Sequence, residues 1–381
     1  MKILHLMLSS FYIDGYNYQE NVLPKMNKLD GNEVKIIAST VTYINNKTPG
    51  FLEPKKYMNE DGIEVIRVPY VKYLPRFLNT KIRIYKNLKE NIEEFEPDVI
   101  FFHGLGGYAL ISVAKYIKTH PNVKLFVDIH SDANNSATNF FSKYILHKTF
   151  NKRIIQKSLP YVQKVFCISY ETQLFAEEIF SIPEEKLMRL PLGGIIFEET
   201  IREKKRKRRR NELGLSDEDI LIVHSGKMDR LKRTKTILDA FQKTKAKKIY
   251  LVIIGEFSED MWPVVEPIIK KDPRIRFLGW KNSEELLEYL CAADLYIQPG
   301  GQSATMQNAA CCGSALALYP HKSHKMLMGE TVFYIDTVES IQGLLEEISA
   351  NSEVLEKKRK ASFDLAKKEL DYKEQAKRIY V

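Results

Sequence analysis

Short runs rich in Val, Ile, Leu and Phe recur along the chain between longer stretches whose apolar residues return every three to four positions. That is the pattern of parallel strands buried on both faces by helices. In the first half the apolar runs fall at 2–8, 33–38, 65–68, 99–102, 125–129 and 164–168. In the second half they fall at 220–224, 249–254, 275–278, 295–298, 315–318 and 332–335. The β-α-β order predicts an α/β protein, and each set suffices for its own doubly wound sheet. Between them Leu190-Pro191-Leu192-Gly193-Gly194 interrupts any regular element. The boundary is therefore placed there, giving domains 1–190 and 191–362. From 363 to 380 charge alternates with apolar positions as in a last helix.

The length of 381 residues exceeds what one core usually organises, and 44% hydrophobic with 28% charged residues is the balance of a folded chain. The apolar runs are strand-sized, far short of the roughly 18 residues that cross a bilayer, and 1–8 reads as the first buried strand. Cys167, Cys291, Cys311 and Cys312 lack metal-type spacing and sit among apolar residues. A cytoplasmic setting follows, with neither metal nor cofactor expected.

A net charge of +9 favours anionic partners. It is concentrated at 202–210, eight basic residues in nine. This run reads as a solvated helix or as a patch docking on the inner face of the cell membrane, at about 1 kcal/mol per basic residue. Nucleic acid is not an expected partner, because no recognition motif accompanies the run.

At 223–235 a strand runs into Gly226, two lysines five residues apart (Lys227 and Lys232), and then a helix. The carboxyl end of a strand is where open α/β sheets bind ligands. Two lysines there can bracket a diphosphate, each close charge pair being worth about 4 kcal/mol at an effective dielectric near 20 before desolvation. The segment resembles the strand-Gly-Arg-x5-Lys signature of retaining glycosyltransferases of the family-four type, with Lys227 at the arginine position. Val252-Ile253-Ile254-Gly255-Glu256, Arg276-Phe277-Leu278-Gly279-Trp280 and Ala292-Ala293-Asp294-Leu295 through Pro299 keep the family's order of blocks. Together they cover most of 190–320.

The resemblance implies the GT-B architecture: two Rossmann-like doubly wound domains facing across a cleft, with a C-terminal helix at about 363–381 crossing back to the first. It assigns Lys227 and Lys232 to the diphosphate, and Gly226, Glu256 and Trp280 to the donor. The Gly-rich loop 300–313 should open a helix near Ser303. The amides of Gly301, Gln302, Ser303, Ala304 and Thr305 would then form an anion site, with Ser303 also serving as the cap. Where the family carries two glutamates, this sequence has Gly300 and Asn308. Asn308 can still bond a ribose hydroxyl, whereas Gly300 has nothing to offer the sugar.

On the acceptor side, Gly15, Tyr16, Asn17, Tyr18 and Gln19 follow the first strand and resemble the G-Y-Q-E-N loop of transferases that build bacterial surface polysaccharides. Two neighbouring strands end in His103 and His130, which should face the same ligand. His130 matches the family's strand-end histidine near the transferred sugar. His103 and Asp132 are assigned to the acceptor, and His321 and His324 either to a solvated loop or to the wall near the donor. The implied activity moves a sugar, with retention, from a nucleotide diphosphate sugar to a saccharide or lipid-linked saccharide in cell-surface polysaccharide synthesis. A catalytically silent GT-B partner subunit and a sugar-nucleotide epimerase or hydrolase are the alternatives.

Overall fold

A computed structural model describes residues 1–44, 48–132, 141–301 and 303–380. The chain divides into two compact units, Met1–Pro191 with Tyr372–Val381, and Leu192–Asp371.

The strands of the first unit are β1 (Lys2–Met7), β2 (Glu33–Ser39), β3 (Val41–Ile44), β4 (Thr48–Phe51), β5 (Lys56–Met58), β6 (Glu64–Val68), β7 (Val99–Phe102), β8 (Lys124–Ile129), β9 (Lys164–Cys167) and β10 (Leu187–Arg189). Eight form one sheet in the order β10-β9-β8-β7-β1-β2-β6-β5, parallel except for the β5–β6 pair. Every predicted run of this half is a strand. The hairpin β3–β4, the edge strand β5 and the short β10 were missed: Pro49 and Gly50 break the first, Lys56 makes the second polar, and the third has three residues.

In the second unit β11 (Ile220–Met228), β12 (Ile249–Phe257), β13 (Ile275–Phe277), β14 (Leu295–Gln298), β15 (Ala315–Leu318) and β16 (Phe333–Tyr334) form an all-parallel sheet in the order β13-β12-β11-β14-β15-β16. In each unit the strand order reverses beside the first strand, between β1 and β7 and between β11 and β14. Those are the topological switch points, where ligands settle beyond the strand ends.

The last helix differs from the expectation for 363–381. Helix Ser352–Glu369 stays in the second unit, where Ala366 and Leu370 are in the core. Only from Tyr372 does the chain join the first unit, through helix Tyr372–Ala376 and the turn Lys377–Ile379. Tyr372, Ala376 and Ile379 pack there with Ile3, Met7 and Val22. The apolar period of this stretch serves two cores in succession.

The basic run forms helix Glu199–Glu212, and much of it faces its own unit. Arg206 and Arg210 bind Asp294 at 2.6 and 2.9 Å, Arg209 binds Glu288 at 2.8 Å, and Arg202 lies over Phe363. Lys204 and Lys207 point to solvent. No helix among the described residues is long and apolar enough to cross a membrane.

Candidate functional site

At the second unit's switch point β11 does not turn at Gly226. It continues to Met228 in register with β12, pairing Gly226 with Gly255 and Lys227 with Glu256. The two glycines are needed because the backbones touch: a Cβ on Gly255 would stand 1.8 Å from the Gly226 carbonyl oxygen. The Gly255 amide donates to the Gly279 carbonyl at 2.9 Å, so Trp280, 65% exposed, follows along the same edge.

Lys232 closes a short turn, Arg230–Lys232, capped by the Asp229 carboxylate accepting from the Lys232 amide at 3.1 Å. Its side chain lies across Gly226, with Nζ 3.3 Å from where a Cβ would be. Burial lowers the Lys232 pKa, Asp229 opposing only in part. Among the described residues no carboxylate lies within ion-pair distance of its ammonium, so Asp229 balances this half-buried charge only from a distance.

The loop after β14 packs directly on that turn. The Gly301 amide donates to the Leu231 carbonyl at 3.0 Å, and Gln298 Nε2 donates to the Gly301 carbonyl at 2.6 Å. A Cβ on Gly300 would lie 2.0 Å from the Leu231 oxygen, so this backbone excludes any side chain where the family's glutamate would stand. The helix begins at Thr305, two residues beyond the expected start, and Ser303 Oγ accepts from the Thr305 amide at 3.2 Å. The Tyr296 hydroxyl donates to Gln298 Oε1 at 3.0 Å, so the side chain that holds Gly301 is itself tied to the sheet. Ala304 is exposed, and Asn308 is half-buried with Oδ1 2.8 Å from where a Cβ on Gly194 would be. Gln302 lies outside the described residues.

Sequence reasoning missed His224, which is fully buried on β11. Its Nδ1 donates to the Ile297 carbonyl at 2.8 Å and its Nε2 faces the Thr234 hydroxyl at 3.0 Å. Burial, with Lys232 adding to it against the Ile297 bond, pushes it down to about 4. It is a neutral tie between strands. His324 is likewise not in a solvated loop: it is 3% exposed, and its Nδ1 bonds the Tyr319 carbonyl at 2.8 Å.

In the first unit the loop after β1 is anchored from beneath. Arg67 on β6 is fully buried and donates to the Tyr12 and Ser39 carbonyls at 2.9 and 3.1 Å, to the Tyr57 hydroxyl at 3.1 Å and to the Asp14 carboxylate at 3.0 Å. Gly15 turns with φ +76 and gives its amide to Glu60 at 3.0 Å. Asn17 and Tyr18 are exposed, Tyr16 is half-buried, and the two tyrosine rings lie 5.1 Å apart. Gln19 is turned inward at 1% exposure, and its amide has no partner among the described residues. It cannot touch an acceptor at the surface, contrary to expectation, because it opens helix Gln19–Leu29 on the buried side.

His103 is corrected too. It is fully buried, with Nδ1 2.7 Å from Asp128 and Nε2 3.0 Å from His5, so neither ring nitrogen can meet an acceptor. His130, two residues beyond Asp128, keeps 28% of its side chain exposed, with Nε2 3.5 Å from Asp128 Oδ2. Burial alone would lower the His130 pKa, but the Asp128 carboxylate and Glu20 raise it to about 9. Burial would likewise raise Asp128, yet His103 and His130 hold it far below the carboxylate range. Asp132 follows, half-buried.

With both switch points described, the comparison with known proteins is specific. Residues 205–378 match the profile of the family described as glycosyl transferases group 1. The match spans a little under half of the chain and most of the second unit. No curated protein matches the sequence significantly. Solved structures similar over nearly the whole chain include Anabaena HepE in complex with UDP, at 14% identity and TM-score 0.68 over 100% of this chain and 98% of that one. Sucrose-phosphate synthase from Thermosynechococcus elongatus is similar at 13% identity and TM-score 0.66, over 98% and 96%. WaaG, a glycosyltransferase of lipopolysaccharide biosynthesis, is similar at 13% identity and TM-score 0.62, over 99% of both chains. At such identities the likeness establishes the fold: α/β, with Rossmann-like parallel-sheet units as in GT-B glycosyltransferases. Within the residues that match the family lie Lys227, Lys232 and the 300–305 loop.

Proposed function

We propose that this protein transfers a sugar, with retention and without a metal, from a nucleotide diphosphate sugar to a saccharide or lipid-linked saccharide in cell-surface polysaccharide synthesis. One observation carries the reading. The half-buried Lys232 ammonium lies across Gly226 at the switch point, within the residues that match group 1 glycosyl transferases, with no carboxylate at ion-pair distance among the described residues. A buried cation without a counter-ion is costly unless an anion arrives. A diphosphate, its charge growing as the glycosyl bond breaks, is the anion this surface suits, with Lys227 and the amides of the 301–305 loop beside it. In this reading Glu256 and Trp280 line the nucleoside end, Asn308 serves a ribose hydroxyl, and Gly15, Tyr16, Asn17, Tyr18 and Asp132 serve the acceptor. A cationic His130 faces the transferred sugar. HepE was solved with UDP and with UDP-glucose, which favours a UDP-sugar as donor.

The test is a panel of UDP- and GDP-sugars assayed for binding and transfer. We expect a nucleotide sugar to bind and Lys232→Ala to lower transfer by about a hundredfold or more, the scale of removing one charge-stabilising donor. Absence of any nucleotide binding at millimolar concentration overturns the reading. Gly300 favours a second reading, a catalytically silent partner subunit, since no acid can stand at that position. That reading requires nucleotide binding with neither transfer nor hydrolysis.

A further inference from the structure

Polar side chains run in an unbroken line through the buried centre of the first unit, and the protons on that line can be counted. Asn27, on helix Gln19–Leu29, donates from Nδ2 to the Ala376 carbonyl and to the Tyr380 hydroxyl oxygen, each at 2.9 Å. The Tyr380 hydroxyl gives its own proton to Asp30 at 2.9 Å. Both partners of Nδ2 accept, so the amide orientation is fixed and Oδ1 is left facing His5 Nε2 at 3.0 Å. An amide oxygen only accepts, so His5 Nε2 bears a proton.

At the other end the Asp128 carboxylate accepts from the Gly104 amide at 2.5 Å and lies 2.7 Å from His103 Nδ1. That nitrogen bears a proton as well. His5 Nδ1 and His103 Nε2 stand 3.0 Å apart, a hydrogen bond that needs a third. Three protons on two imidazoles make one of them a cation.

We propose that the His5–His103 pair holds one positive charge, fixed by Asn27 on one side and by Asp128 on the other, and that the pair is a positioning device for His130. His103 stands 2.7 Å from the Asp128 carboxylate whereas His5 faces only the neutral Asn27 amide, so the additional proton sits on the His103 ring; burial and the neighbouring His103 push His5 well below the histidine range. That ring lies 4.2 Å from the Phe101 ring, whose π-face accommodates a cation. His103 and His130 address the same oxygen, Asp128 Oδ2, at 2.7 and 3.5 Å. While His103 is charged it holds the carboxylate, and His130 is bound only at the longer distance, its ring partly exposed. The charged groups facing His130 are Asp128 on β8 and Glu20 on helix Gln19–Leu29. The function of His130 rests on the reading given above, whereas the proton count does not.

The experiment is nitrogen NMR of the full-length chain labelled with 15N-histidine, read for the protonation of each ring nitrogen from pH 6 to 10. In the unmodified protein we expect both His103 nitrogens and His5 Nε2 to be protonated and His5 Nδ1 to be bare. His5→Phe removes the acceptor of the third proton, so His103 should fall to its Nδ1–H form. His103 then keeps its hydrogen bond to Asp128 but not its charge, and the His130 midpoint should rise by about one pH unit. Asn27→Leu keeps both rings but frees His5 to turn its proton towards His103. It should abolish the charge in the same way, and it covers the case in which His5→Phe fails to fold. Two protons on the pair in the unmodified protein, or a His130 midpoint unmoved in folded variants, overturns the proposal. No readout is an activity, so a chain with three protons and no transfer keeps this inference and sinks the proposed function, and the converse result separates them equally.

Discussion

Both units place a histidine in the middle of their first, central strand, and they satisfy it in opposite ways. His224 on β11 is closed at both ends, by the Ile297 carbonyl and the Thr234 hydroxyl, both from its own surroundings. His5 on β1 is one link of a line that runs from Asn27 through His103 and Asp128 to the partly exposed His130. A closed pair of bonds ties strands together and leaves the ring neutral. An open line carries charge towards the end of the sheet. The reverse holds at the strand ends: the second unit keeps its under-compensated charge, Lys232, at the switch point itself, and its buried ion pairs between Asp294 and the helix Glu199–Glu212.

The largest effect that would sharpen this contrast is Asp128→Ala. Removing one partner of a fully buried charge pair typically costs about 3–5 kcal/mol, because the other is left without compensation. Both tryptophans, Trp262 and Trp280, belong to the second unit, so their fluorescence reports its unfolding alone while far-ultraviolet circular dichroism reports both. In urea the variant should lose the dichroism of the first unit early, with the tryptophan transition unmoved. Unchanged stability of the first unit would show that Asp128 has no cation to balance.

Next in size is a pH dependence of opposite sign in the two units. His224 ordinarily takes a proton near 6.5 when unfolded but only at about 4 when folded. Between those values the unfolded state holds more protons, so the second unit should lose about 3 kcal/mol as pH falls from 6.5 to 4. His130, raised to about 9, keeps a proton that the unfolded chain releases. Its contribution is complete below pH 6.5 and declines as pH rises to 9. Urea midpoints followed by tryptophan fluorescence should fall on the acid side, and the first unit's transition in the far-ultraviolet dichroism should fall on the alkaline side. A His224→Gln protein that keeps the full acid sensitivity would remove His224 as its source.

How much of this was legible in the sequence follows from the same residues. The strands were, because Val99–Phe102 or Ile249–Ile254 can be buried only in a sheet covered on both faces. The meeting of Gly226, Lys232 and Gly300–Gly301 at one strand end was, because their spacing follows the family pattern that the sequence resembles. The buried polar line was not. His5 and Asp128 each interrupt an apolar run by one residue and His224 ends one, and a single sequence shows that such a group needs a partner without showing which. Arg67 within Val65-Ile66-Arg67-Val68 was hidden in the same way. His103 and Gln19 were misplaced because a strand end or a loop position fixes where the backbone goes but not which way the side chain turns.

A smaller effect tests the packing at the second switch point. Gly300→Glu would restore the acid that the family pattern carries, yet its Cβ meets the Leu231 carbonyl, a backbone atom that cannot step aside. Overpacking of this kind costs about 1–3 kcal/mol, so the tryptophan transition should move to lower urea and nucleotide binding should weaken. A variant as stable as the parent, with improved transfer, would mean that the loop yields and that the missing acid limits the chemistry.

The smallest effect concerns the basic helix, where inner and outer faces repeat the contrast of closed and open charge. Arg206, Arg209 and Arg210 are held by Asp294 and Glu288, whereas Lys204 and Lys207 face water. Replacing both lysines by alanine should change stability by less than about 0.5 kcal/mol, as surface substitutions usually do. The same pair measures what the helix can offer a membrane. At about 1 kcal/mol for each basic residue near an anionic surface, two lysines supply roughly a thirtyfold change in binding to phosphatidylserine vesicles, not the large factor that eight free charges would give. Vesicle binding that survives the double substitution undiminished would place any membrane contact elsewhere on the molecule.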